Sequence, residues 1–120
     1  MEIKSALAGL SALAHEGRLS LFRQLVRAGP SGVAAGDLAH AVGANFTTVS
    51  AQLAVLANAG LVTNRREGRS IRYIADYDAI RSVMAFLMED CCQGRPEILT
   101  PLASIAKKAA GGGSTEGVQT

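Results

Sequence analysis

The chain has 120 residues, 48% of them apolar and only 4% aromatic, with a formal net charge of +2. That length suits one domain, or one domain and a tail, and an interior of Ala and Leu favours helices over a β-sandwich. The mild basicity excludes nucleic-acid binding by bulk charge, so any such contact must come from local clusters. No apolar run reaches the roughly 18–20 residues of a membrane span, and the N-terminus shows no signal-peptide core with a cleavage site. The expected location is cytoplasmic, where two cysteines read as reactive or ligating thiols rather than a structural disulfide.

In chain order, residues 2–14 form a first helix, with Ile3, Leu7, Leu10 and Leu13 spaced by three or four on one apolar face and Lys4 and Ser11 off it. A second helix spans Glu16 to Arg27, with Leu19, Phe22, Leu25 and Val26 inward and Arg18, Arg23 and Arg27 outward. Gly29-Pro30 stops it. A third, short helix follows Gly36 and carries Leu38, Ala39 and Val42, after which Gly43 turns the chain.

Asn45 is a suitable N-cap for a fourth helix, in which Val49, Leu53, Leu56 and Ala57 make the apolar stripe. Phe46, Thr47, Ser50, Ala51 and Gln52 face the other way, short or uncharged side chains with no acid among them. The third and fourth helices, joined through Gly43-Ala44-Asn45, read as a helix-turn-helix. A capped helix with such an outer face suits base edges in a DNA major groove. Taken alone, the same pattern equally describes an amphipathic helix whose polar face is merely wet.

Two β-prone runs follow, Leu61–Arg66 and Ser70–Ala75, around a Glu67-Gly68-Arg69 loop in which Gly68 can take a positive φ. Arg65, Arg66, Arg69 and Arg72 place four of the twelve basic residues within eight positions. Beside a helix-turn-helix, an arginine-bearing hairpin is what a DNA wing requires, its guanidinium groups reaching phosphates or the minor groove. A last helix from about Asp78 to Cys92 carries a wide apolar arc of Ile80, Val83, Met84, Leu87 and Met88. With the first helix it predicts a homodimer interface, which would set two recognition helices about one DNA turn apart on a palindromic site.

The predicted fold is therefore mainly α with a small β-hairpin, a winged helix-turn-helix of order ααα-α-ββ-α that dimerises through its first and last helices. Residues 1–95 form the DNA-binding domain. Residues 96–110 are a C-terminal extension whose conformation the sequence leaves open, one loosely docked turn or a short helix, and the Gly/Ser-rich residues 111–120 are expected to be disordered.

With HEGRLSLFRQLV, TTVSAQLAVLANAGLV and REGRSIRYIA in these places, residues 3–93 resemble the ArsR/SmtB family of bacterial winged-helix repressors. The resemblance implies a homodimer that occupies a promoter and leaves it when a metal, metalloid or thiol-reactive signal binds. It also implies that Thr47, Thr48, Ser50, Ala51 and Gln52 match the base-reading positions. Many relatives carry histidines where Ala51 and Gln52 stand, so a different operator is implied.

The inducer is read from the ligands available: Cys91, Cys92, His15, His40 and scattered carboxylates. The C-V-C motif that arsenite sensors of the family place in the third helix falls here on Ala34, Ala35 and Gly36. Along the last helix Asp78 is followed by no histidine, so the zinc and nickel ligand sets are missing, and four zinc ligands cannot readily be gathered. What remains is EDCCQGRPE, which resembles the adjacent cysteines of another arsenic-responsive group. Soft thiolates select soft centres, and trivalent arsenic or antimony is the expected inducer at Cys91 and Cys92. The relatives' third cysteine is missing, and two thiols suit a monomethylated arsenical as well as the inorganic ion.

Two other readings stay open at this point: a thiol-redox switch on the same DNA-binding fold, and a winged-helix module that docks proteins. Enzymatic use of a cysteine has no support, because no base and orienting group accompany either thiol. No organic cofactor is expected.

Overall fold

A computed structural model describes residues 2–89, 93 and 95–112, with side-chain surroundings up to residue 105. Cys91 and Cys92 lie outside the described residues. The helices are α1 (Ile3–Leu13), α2 (Glu16–Ala28), α3 (Ala35–Val42), α4 (Phe46–Asn58), α5 (Tyr77–Leu87) and α6 (Pro96–Gly112). The strands are β1 (Val33–Ala34), β2 (Val62–Glu67) and β3 (Ser70–Ala75), and a 3-10 turn occupies Gly29–Ser31. The chain divides into two compact units, Met1–Met84 and Ala85–Thr120.

In the first unit, Leu21, Leu25, Leu38, Val49, Leu53, Leu56 and Leu61 are fully buried. They come from α2, α3, α4 and the approach to β2, and each burial of this kind stabilises by about 1.5–3 kcal/mol. Val62 and Ala75, paired across β2 and β3, close the core from the sheet side. Tyr77 donates its hydroxyl to the Val26 carbonyl at 3.3 Å, tying the start of α5 to the end of α2.

The expected hairpin is one part of a three-stranded antiparallel sheet of order β1-β3-β2. Val33 pairs with Tyr73 and Ala34 with Arg72. A two-residue strand carries no periodicity, and its partner lies some forty positions away, so local sequence cannot announce it.

The face that α1 turns to the core is made of small residues. Ala6, Gly9 and Ala12 are buried, whereas Ile3 is 62% and Leu7 58% exposed. Small residues win this face because the neighbours come close: a β-carbon on Gly9 would stand 3.2 Å from Cγ2 of Val83. On α2 the buried set is Leu21, Phe22 and Leu25, leaving Leu19 and Val26 exposed. Arg18 turns back rather than outward. Its Nε donates to the Ala12 carbonyl at 2.6 Å and its Nη2 to the Ser11 carbonyl at 3.3 Å, capping the carbonyl end of α1 where a cation is favoured.

The extension after residue 95 is a seventeen-residue helix, and it includes Gly111 and Gly112, which the sequence placed in a disordered tail. Pro96 at the first helical position has the fixed φ that starts a helix. Pro101 inside it removes one backbone bond without ending the helix.

Candidate nucleic-acid interface

The helix-turn-helix is set by backbone chemistry at three points. Gly43 takes φ +68° after α3, and the Gly43 and Ala44 amides donate to the His40 and Ala39 carbonyls at 3.3 and 3.1 Å. Asn45 Oδ1 then accepts from the Thr48 amide at 2.8 Å, capping α4. At the far end Gly60, φ +81°, lets the Gly60 and Leu61 amides close on Ala57 and Leu56, both at 3.0 Å. These are paired Schellman closures, each of which needs the left-handed residue that glycine supplies at least cost. Asn45 and the two glycines thus fix where the recognition helix begins and ends.

Val49, Leu53 and Leu56 anchor α4 in the core. On its other side Asn45, Phe46, Thr47, Thr48 and Ala51 are exposed, while Ser50 and Gln52 are half-buried. Phe46, 58% exposed, faces a groove of about 430 Å³ between α4, the start of α3 and β3, lined also by Ser50, Asp37, Arg69, Ile71 and Tyr73. Ala34, Ala35 and Gly36 form another part of that lining.

The four wing arginines divide by strand register. Arg66 lies opposite Ile71, on the sheet face that carries the groove-lining Ile71 and Tyr73. Arg65 lies opposite Arg72 on the other face, two like charges in direct register. Glu67 lies between them, accepting from Arg65 Nε at 3.0 Å and from Arg72 Nε at 3.1 Å. Those two hydrogen bonds, Arg72's the larger, hold its carboxyl below the ordinary carboxylate range.

Arg72 also donates through Nη1 to the carbonyls of Ser31 and Gly32, at 3.3 and 3.1 Å. It therefore fastens the wing to the 3-10 turn. Nothing local marks that role, because donor and acceptors are about forty residues apart. Arg66 and Arg69 have no hydrogen-bond or ion-pair partner among the described residues and are exposed. Gly68, φ +64°, turns the tip between the strands.

His15 caps α2, its Nδ1 accepting from the Arg18 amide at 3.3 Å, and His40 is exposed in the last turn of α3. Among the described residues no three His, Cys, Asp or Glu side chains are grouped to hold a metal ion. No helix among them is long and apolar enough to cross a membrane.

A helix-turn-helix with a bare recognition face beside an arginine-bearing hairpin defines the winged helix-turn-helix class. A family model described as HVO_A0114 matches residues 14–82. The HTH-type transcriptional regulator NmtR of Mycobacterium tuberculosis is 52% identical over 64 residues, covering 53% of this chain and 51% of NmtR. This chain thus matches about half the length of that curated relative. Among solved structures, the homodimeric winged helix-turn-helix DNA-binding domain of Mb0332 from Mycobacterium bovis, a possible ArsR-family transcriptional regulator, has a TM-score of 0.61. It is 31% identical over 72% of this chain and 78% of its own. The transcriptional repressor BigR of Xylella fastidiosa is 32% identical over 72% of this chain and 83% of its own, with a TM-score of 0.53. The chain belongs to the family that model describes and to the ArsR family of winged-helix transcriptional regulators.

Proposed function

We propose that this protein is an arsenic-responsive repressor. It binds a palindromic operator as a homodimer and leaves it when trivalent arsenic, or antimony in its place, binds Cys91 and Cys92. The observation that carries the DNA half is the pairing of an uncharged, exposed α4 face with two free arginines, Arg66 and Arg69, on the adjoining wing. Thr47, Thr48, Ser50, Ala51 and Gln52 read base edges, helped by Asn45 and Phe46 at the helix start. Arg66 and Arg69 meet phosphates, while Glu67 holds Arg65 and Arg72.

Dimerisation is supported by the exposed Ile3 and Leu7 of α1 and Met84 of α5, apolar side chains that a monomer leaves in water. Homodimeric Mb0332 supports it as well.

The sensing half rests on the donor set in the sequence. Two adjacent thiols are the only cysteines in the chain, and soft sulfur prefers a soft, thiophilic centre. Two sulfurs complete the coordination of a monomethylated trivalent arsenical, whose methyl group fills the remaining position. Ligation changes DNA affinity only through a coupling free energy between the two sites, typically about 1–3 kcal/mol.

The test is fluorescence anisotropy on the protein's own promoter duplex, titrated in parallel with arsenite and trivalent methylarsenical. Release that disappears in Cys91→Ser and Cys92→Ser is the expected result. Release by peroxide alone, reversed by reductant, would replace the arsenical with oxidation as the signal. Absence of salt-dependent binding to the duplex would remove the repressor reading altogether.

A further inference from the structure

Gly17 stands in the first turn of α2, where glycine is among the poorest helix formers. A β-carbon built there would lie 2.5 Å from Nε2 of Gln52, 3.1 Å from its Cδ and 3.2 Å from its Oε1. The three nearest atoms all belong to that one amide. Gln52 thus reaches from α4 to lie against bare α2 backbone. It is half-buried there, while the neighbouring Ala51 is exposed. Gly17 and Gln52 line an open groove of about 660 Å³ shared with His15, Glu16, Ser20 and Thr48.

We infer that Gly17 is a positioning residue for base recognition, one that sets the direction from which the Gln52 amide meets the DNA. This rests on the DNA-binding reading of α4. An amide recognises adenine by presenting one donor and one acceptor together, so its orientation decides whether both bonds form. A side chain already seated on α2 loses less rotamer freedom on binding than one free in solvent. Any side chain at position 17 occupies the seat, because 2.5 Å is closer than a β-carbon and an amide nitrogen can stand. The Gln52 amide, the far end of a flexible side chain, must then shift from that seat, which changes the direction from which it approaches the groove floor. Alanine is itself a good helix former, so Gly17→Ala removes the seat without weakening α2.

The experiment measures binding of a duplex pool with randomised half-sites by the wild-type protein, Gly17→Ala, Gln52→Ala and the double variant, with thermal melting as the check on folding. The wild type is expected to discriminate at one base pair of each half-site by about ten-fold or more, the range of one bidentate contact. Gly17→Ala flattens or changes that preference at the same base pair and leaves the salt dependence unchanged. Gln52→Ala abolishes it, and the double variant matches Gln52→Ala.

The inference is overturned if Gly17→Ala keeps the wild-type preference, or if Gln52→Ala does not abolish it. It is also overturned if Gly17→Ala has the same effect whether or not Gln52 is present, since it would then act through the fold. A folded wild type that binds no duplex in the pool, or binds without base preference, fails earlier. It overturns the DNA-reading assignment of α4, and this inference with it.

Discussion

Arg65 and Arg72 face one another in direct register across the wing, and the carboxylate of Glu67 binds both. Like charges opposite each other are destabilising, and the bridging acid removes that repulsion. It also occupies two guanidinium groups that would otherwise be available to phosphate.

Glu67→Gln is expected to strengthen sequence-independent duplex binding. Replacing the acid frees Arg65 and removes a negative charge from the wing. The slope of log affinity against log salt should steepen by about 0.9 for one added phosphate contact. Arg66→Ala and Arg69→Ala should each make it shallower by a similar amount. Anisotropy titrations across a salt series read all three. An unchanged slope in Glu67→Gln would mean that Arg65 does not reach the backbone.

The same ion cluster makes the wing sensitive to acid. With its folded pKa below the ordinary value of 4.5, Glu67 contributes stability that is complete above its unfolded pKa and fades as pH falls through the lower folded value. The midpoint of the movement of the Arg65 and Arg72 Nε–H resonances should therefore fall below pH 4.5. In Glu67→Gln that acid transition should be absent.

Asn45→Ala removes the acceptor for the Thr48 amide and should cost about 1 kcal/mol of folding stability. Asn45→Asp and Asn45→Ser should recover most of it, because either side chain caps as well. Urea denaturation of the three variants measures the effect. Equal losses in all three would place the role of Asn45 outside the cap.

Leu7→Glu places a charge on the exposed apolar face of α1 while leaving Ala6, Gly9 and Ala12 to pack. Sedimentation should show a shift from dimer to monomer with the helical spectrum unchanged, together with loss of the affinity advantage of a palindromic duplex over a half-site. A persistent dimer would move the interface away from α1.

Element ends were legible wherever a single residue type has a local cost or benefit. Asn45 begins α4 as expected, Gly43 turns the chain before it, and Gly68 turns the wing. The inward stripe of α4 was equally plain, since Val49, Leu53 and Leu56 recur at helical spacing. On α1 the sequence marked the Ile and Leu stripe as surplus apolar surface for a dimer, but it did not reveal the face buried within the protomer, which is Ala6, Gly9 and Ala12. Closeness of approach, not apolarity, decided it there.

By itself, then, the sequence determined the order of the helices, the caps of the recognition helix and the concentration of arginines in the wing, because each depends on neighbours within a few positions. Tertiary structure alone decided that Arg72 clamps the wing to a turn forty residues back, that Arg66 and Arg69 stay free, that β1 joins the sheet, and that Gln52 lies on Gly17. Those outcomes depend on which distant backbones meet and how closely, and no local spacing encodes that distance.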